Sequence, residues 1–273
     1  MRKTGITLIE MLIAAVISVA ILGLIAAGLR SSSDSLRFVQ NSQLLTEDLR
    51  NAGNLVSDYI AKAAFVYPPG VTLTIGSVGG YTVRNPSTNN NTWRIGQDSA
   101  IALLWPPTVE NGVEVVKFVM VYPLNRGWVV SRATGAENPG PDPANNSKWL
   151  LYIYERNVPV GSSRLPNGFP AIIPTTISEG SGNLLADYVQ PGGFVVSYRN
   201  CLGFDEGGLA TLALCPTTPP TPLRAEHSAV QVQFSLQGEI HQGSRDSRVP
   251  ANPLRFEAAP RNLPTRLTDI TLN

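Results

Sequence analysis

The chain has 273 residues, 43% of them hydrophobic and 15% charged, and its 21 basic and 20 acidic side chains leave a net charge of +1. That balance excludes a histone-like polybasic nucleic-acid binder, though not a local basic patch. Two cysteines exclude iron–sulfur clusters held by four cysteines, and no C-x-x-C-H haem attachment motif occurs.

Composition divides the chain near residue 67. All 22 prolines and all 4 tryptophans lie at Pro68 or beyond. A long stretch free of proline is what a long helix requires, because proline removes a donor and clashes with the preceding turn. The N-terminus opens Met1-Arg2-Lys3-Thr4-Gly5 and turns apolar at Ile6. Met11 to Leu29 carries no charge, and at 1.5 Å per residue such a helix spans about 28 Å, near the thickness of a bilayer's hydrocarbon core. Arg2 and Lys3 precede it, which predicts a single pass with the N-terminus cytoplasmic and everything after Arg30 outside.

From Leu36 the pattern becomes amphipathic. Apolar residues recur at Leu36, Val39, Leu45, Leu49, Ala52, Val56, Tyr59, Ile60, Ala63 and Ala64, mostly three or four apart. Arg37, Glu47, Asp48, Arg50, Asp58 and Lys62 take the other face. Ser31-Ser32-Ser33-Asp34 has weak helix propensity and leaves open a bend or a fresh N-cap. The expectation is one helix of about 55–60 residues ending before Pro68-Pro69, apolar all round in residues 6–29 and amphipathic in 30–67.

Residues 68–273 read as β-rich, with turn chemistry between short apolar runs. Val230–Leu236 alternates as a half-buried strand does. Val113–Tyr122, Trp149–Tyr154 and Phe194–Tyr198 are further strand candidates. Gly76–Gly80 is expected to be a hairpin turn, Asn85–Asn91 an exposed loop and Gly135–Ser147 a long surface loop. The predicted class is α+β: a long N-terminal helix whose second half packs on an antiparallel sheet.

The run Gly5-Ile6-Thr7-Leu8-Ile9-Glu10-Met11-Leu12 resembles the cleavage signature of type IV pilins and type II secretion pseudopilins. The resemblance implies a leader of residues 1–5, prepilin-peptidase cleavage between Gly5 and Ile6, methylation of the new Ile6 amine, and a role for Glu10 in subunit register. It covers residues 1–30 in motif and 1–67 in architecture. Ile6 departs from the family's usual phenylalanine. The apolar helix lacks the proline common in major pilins, which suits a minor pilin or pseudopilin. The implied partners are other pilin-like subunits, the peptidase, the inner-membrane assembly machinery and the inner membrane before assembly. The implied destination is a periplasmic or extracellular filament at the cell surface.

Physical chemistry supports the motif independently. A carboxylate at the centre of a membrane helix costs about 2.5–3.5 kcal/mol, and less near its end. An α-amine at Ile6 would lie four residues from Glu10, on the same helix face, and a neighbouring subunit's amine is an equal candidate partner. A glutamate that merely reaches for the interface, a secretory signal peptide and an uncleaved anchor are the alternatives at this end.

Cys201 and Cys215 are the only cysteines, and export makes a disulfide between them the default, with free thiols the alternative. It would staple a C-terminal loop of the sort pilin relatives use for partner contacts. Catalytic signals are weak. His227 and His241 stand apart from any carboxylate cluster, and no G-x-S-x-G elbow occurs. Asp142, Asn145 and Asn146, or Asp205 and Glu206, offer oxygen ligands of calcium type without diagnostic spacing. Arg245, Arg248, Arg255, Arg261 and Arg266 could meet DNA phosphates, or be solvated arginines on strand edges. No cofactor is expected. The reading is a structural filament subunit serving pilus biogenesis, adhesion or motility, DNA uptake or type II secretion. The rival is a membrane-anchored enzyme or ligand-binding domain.

Overall fold

The computed structural model describes residues 8–77, 81–134, 138–165, 167–204, 210–216, 218, 221–242 and 245–263. Helix α1 runs from Leu8 to Lys62. Ser31–Asp34 causes neither a stop nor a new cap, and the Ser35 hydroxyl folds back onto the Ser31 carbonyl at 2.9 Å. The helix ends short of Tyr67 because Phe65–Val66 forms strand β1, pairing with Leu104 and Leu103. Ala63 through Tyr67 are buried, so this segment gains more from the sheet than from another helical turn. The chain divides into two compact units, Met1–Leu44 and Leu45–Asn273.

The second unit holds eleven strands among the described residues: β1, β2 (Thr72–Ser77), β3 (Thr92–Arg94), β4 (Ile101–Leu104), β5 (Thr108–Glu110), β6 (Val113–Asn125), β7 (Trp149–Pro159), β8 (Thr176–Phe204), β9 (Ala210–Ala213), β10 (Ala229–Gln242) and β11 (Arg245–Ala258). The sheet order is β1-β4-β6-β7-β8-β10-β11, with β5 beside β6, β9 beside β8, and β2 joining β3 to β8. Pairings are antiparallel except β2 with β8. A short helix α2, Arg126–Val130, follows β6 and is capped by the Asn125 side chain accepting from Trp128 N.

Burial explains the sequence pattern of the central strands. Val116, Phe118, Met120, Tyr122 and Leu124 of β6 join Tyr152 and Tyr154 of β7 in one core layer. The intervening Val115, Val119 and Val121 are buried as well, on the opposite face. A strand covered on both faces loses its alternation, which is why Phe118–Leu124 reads as a run without charge or alternation. Three tyrosine hydroxyls of the first layer reach carbonyls: Tyr67 to Pro174 at 2.6 Å, Tyr154 to Gly76 at 2.6 Å, and Tyr122 to Thr82. These bonds satisfy groups that would be costly to bury unpaired.

The other face receives the last part of α1. Leu45, Leu49, Ala52, Gly53, Val56 and Ile60 are its buried residues, and each large one contributes about 1.5–3 kcal/mol. Leu45 and Leu49 lie over Gly238 of β10, where a Cβ would stand 2.9 Å and 3.0 Å from their methyls. Tyr59, near the helix end, packs on Trp105 at 5.2 Å between ring centroids and bonds Glu155 of β7 at 3.3 Å. The helix therefore runs across β10 at one end and toward β7 at the other. Leu36 and Val39, expected on the same stripe, are exposed.

Turn-forming residues occur inside several strands. Gly76 belongs to β2, while residues 78–80 of the predicted hairpin lie outside the described residues. Pro191-Gly192-Gly193 sits within the 29-residue β8. There β8 is irregular, with a register shift opposite Leu236 and Gly238 and positive φ at Tyr188 and Gly192, so the turn-like residues bend the strand rather than end it. Pro250 and Pro253 occur in β11, which ends the sheet order, and an edge strand tolerates missing donors. The Asn85–Asn91 loop is exposed beyond its base, but Asn85 itself is buried and bonds Ser87 N and Thr92 O at 2.9 Å and 3.1 Å.

A Cβ at Gly53 would fall within the Phe256 ring, which is itself stacked on Phe234 at 5.0 Å. Gly53→Ala gains about 1 kcal/mol of helix propensity, but displacing a stacked ring costs about 1–3 kcal/mol. The expected result is a lower thermal midpoint for the full-length protein. A double-mutant cycle with Phe256→Leu should return part of that loss; additive effects would show that the two residues do not touch.

Candidate functional site

The first unit is a helical surface without a core. Between Leu8 and Leu29 its large apolar side chains are all exposed, from Ile21 at 51% to Leu8 at 83%. Its most apolar window has a mean hydropathy of 2.7 and no buried share, making α1 long and apolar enough to cross a membrane. A patch of this extent is not left in water. The Ser18 hydroxyl donates to the Ala14 carbonyl at 2.8 Å, so a polar side chain in the apolar stretch is satisfied within the helix. Glu10 is the only charge from Leu8 to Leu29. It stands in the first turn of α1, where the helix dipole favours a carboxylate. Gly5 and Ile6 lie outside the described residues.

In the second unit Cys201 and Cys215 are joined by a disulfide, with Cα atoms 4.8 Å apart. The bond ties the end of β8 to the segment after β9, and Leu214 beside it is 86% exposed. Asp205 and Glu206, inside the bridged segment, lie outside the described residues.

The possible calcium ligands at the other loop are engaged with protein. Asp142 Oδ2 accepts from Asn145 Nδ2 at 2.8 Å and from the Tyr188 hydroxyl at 3.1 Å. Asn145 Oδ1 accepts from His241 N at 2.7 Å, and Asn146 Oδ1 from Arg126 at 3.4 Å. Among the described residues no group of three His, Cys, Asp or Glu side chains is disposed to hold a metal. The loop is thereby tied down rather than free, and Asn145 is buried.

These contacts belong to an ionic network that sequence reasoning missed. Arg126, 1% exposed, donates to Asp187 at 3.0 Å and to the Gly140 carbonyl at 3.0 Å. Burial raises the Asp187 pKa, and Arg126 offsets only part of that rise. Lys148, 4% exposed, bonds Glu239 of β10 and, at 2.8 Å, Asp246 of β11. Burial works against its charge, but the hydrogen bonds to Asp246 and Glu239 outweigh it and leave the pKa above the ordinary lysine value. The Lys148 hydrogen bond in turn holds Asp246 below the usual carboxylate range, with His241 adding at 3.2 Å. The partners are separated by 61 to 98 residues in sequence, so no spacing motif could announce them.

Of the C-terminal arginines, Arg245, Arg248 and Arg255 belong to β11 and Arg261 follows it; Arg266 lies outside the described residues. Arg255 does line an open cleft of about 400 Å³ on the β8–β10–β11 face, with Val195, Ser197, Arg199, Gln233 and Glu257. Glu257 accepts from Gln231 and, at 2.8 Å, from Gln233, and the Gln233 bond leads in lowering its pKa. His227 is partly buried, which lowers its pKa, and its ring nitrogen accepts from Arg224 N at 3.0 Å.

No known protein family's sequence profile matches the chain, and no curated protein matches it in sequence.

Two outcomes follow from this geometry. Lys148→Met should lower the thermal midpoint, because it leaves the part-buried Glu239 carboxylate without its cation. Asp246 has a depressed folded pKa, so its contribution is present above its unfolded pKa of about 3.9 and is lost as pH falls through the folded value. The acid-side loss of thermal midpoint attributable to this pair should therefore disappear in Lys148→Met. The Cys201→Ser/Cys215→Ser variant should lose about 3 kcal/mol of stability in denaturant titration while remaining in the membrane fraction.

Proposed function

We propose that the protein is a structural subunit, a minor pilin or minor pseudopilin, of a type IV pilus-like filament. The supporting observation is the exposed, all-round apolar helix with a single charge, Glu10, in its first turn. Such a surface needs an apolar environment twice: a bilayer before assembly and the apolar helices of other subunits after it. On this reading prepilin peptidase removes Met1–Gly5, and the methylated Ile6 amine pairs with Glu10 of its own or a neighbouring helix. Neutralising both charges in a filament core would also fix axial register. The β-rich unit is large for a repeating shaft subunit, which favours a tip or priming position. It is the part presented to the periplasm or cell surface, and the disulfide-bonded loop with exposed Leu214 is its candidate partner contact.

A second reading, a membrane-anchored ligand-binding protein, draws on the cleft lined by Arg199, Arg255 and Glu257. It requires neither cleavage at Gly5 nor assembly through Glu10.

Mass analysis of the membrane-extracted protein separates the two. The filament reading expects a mature chain beginning at methylated Ile6; an intact Met1, or a start near Leu29, rejects it. Glu10→Ala should insert normally, since the helix becomes more apolar. Its incorporation into filaments or subunit complexes should weaken by about 3 kcal/mol, the scale of an unpaired buried charge, or about a hundredfold. Wild-type incorporation would remove any register role for the charge.

A further inference from the structure

Beside α2 is a cationic cluster that the filament reading does not use. The Arg84 guanidinium carbon lies 3.6 Å from the centre of the Trp128 ring, and that of Arg132 lies 3.3 Å from the same centre. Two groups this close to one ring centre cannot share a face, so the indole is sandwiched between them. Each such contact is worth about 0.5–2 kcal/mol, enough to hold two like charges together. Neither arginine has an ion pair with a carboxylate among the described residues. Asp142 and Asp187, on neighbouring elements, are occupied by Asn145, Tyr188 and Arg126. Arg84 Nε and the Trp128 indole N–H are buried without a hydrogen-bond partner among the described residues. Arg132 is exposed and the other two are half-buried, so the cluster opens to solvent on the Arg132 side.

Its position in the second unit suggests a ligand. Sheet pairing sets Asn125, Trp149, Val189, Gly238 and Val249 in one row across β6, β7, β8, β10 and β11. Leu45, the first residue of this unit, packs over Gly238 in that row, and Trp128 follows Asn125 by three residues. The cluster is thus at the end of the sheet where the chain arrives from residue 44. Whatever the orientation of the two units, residues 30–44 are the whole spacer between the uncharged stretch and this end, about 22 Å as helix. A phosphate-bearing surface is therefore held close by covalent connection if the apolar helix is in a bilayer.

We propose that Arg84, Trp128 and Arg132 form a headgroup site through which the globular unit rests on the anionic phospholipids of the membrane that holds its helix. The proposal depends on the membrane reading of α1. Guanidinium groups present planar forks suited to phosphate, and tryptophan is enriched at headgroup level. Because both indole faces are covered, no nucleic-acid base can stack there, and recognition is by charge. A basic residue near an anionic surface contributes about 1 kcal/mol, weak alone but sufficient when a tether supplies millimolar effective concentration. The site would hold the stored subunit down and release it on extraction into a filament.

The test uses the full-length protein in lipid nanodiscs, of phosphatidylcholine alone or with phosphatidylglycerol. Retention in discs reports on the helix separately, and amide exchange over residues 126–134 reports on the site. The expected result is slower exchange in the phosphatidylglycerol discs only, reversed by salt. That protection should fall about fivefold for each of Arg84→Gln and Arg132→Gln, with exchange in β6 and β7 unchanged as proof of folding. Equal exchange in both disc types would overturn the proposal. So would equal protection from oligothymidylate or polyglutamate added to phosphatidylcholine discs, which would assign the site to a nucleic acid or an acidic protein. A chain not retained in discs would overturn this proposal and the membrane reading together.

Discussion

The second unit depends on one constraint: the end of α1 must lie flat on a sheet whose other face is already covered. Leu49, Val56 and Ile60 are wholly buried there, and burial rather than propensity stabilises most helices in proteins. Close approach is achieved by omission of side chains. Gly53 admits the Phe256 ring, and Gly238 admits Leu45 and Leu49. One glycine is on the helix and the other on the sheet, so the contact is fitted from both sides. The buried odd positions of β6 exist because this helix covers them.

The apolar N-terminal half meets a different requirement. Its side chains project in all directions with none buried, so its environment must come from outside the chain. The same continuous helix therefore serves two solvents, and the composition changes along it accordingly. From Leu8 to Leu29 the only charge is Glu10, whereas Glu47, Asp48, Arg50, Asp58 and Lys62 recur at exposed positions of the later part.

The helix, its change of character and the α+β class were legible because they rest on local periodicity. The central strands were found but cut short, since their ends are set by partners rather than by residues of their own. Pro191-Gly192-Gly193 and Pro250 go against local rules, under which such residues end strands: here they bend β8 and lie on the edge strand β11. Leu36 and Val39 continued the heptad-like spacing although burial along the helix begins at Leu45. At the candidate sites, the cysteine pair was legible because rarity makes it conspicuous. Arg126 with Asp187, Lys148 with Glu239 and Asp246, and the two arginines about Trp128 were not. Each joins residues that only the tertiary fold makes neighbours.

The end of α1 carries a last consequence. Its final carbonyls have no partner within the helix, and they are met by the far end of the chain. Arg261 N donates to the Ala61 carbonyl at 3.1 Å, Asn262 N to Ala63 at 3.3 Å, and the Asn262 side-chain amide to Lys62 at 3.0 Å. The helix is synthesised before Arg261 and Asn262, so its terminus is not closed until some 200 further residues have followed. Synthesis therefore separates two events in time: the apolar segment can enter a bilayer early, whereas the end of α1 must wait for Arg261 and Asn262. A chain cut before Arg261 would lose the clasp that closes helix α1.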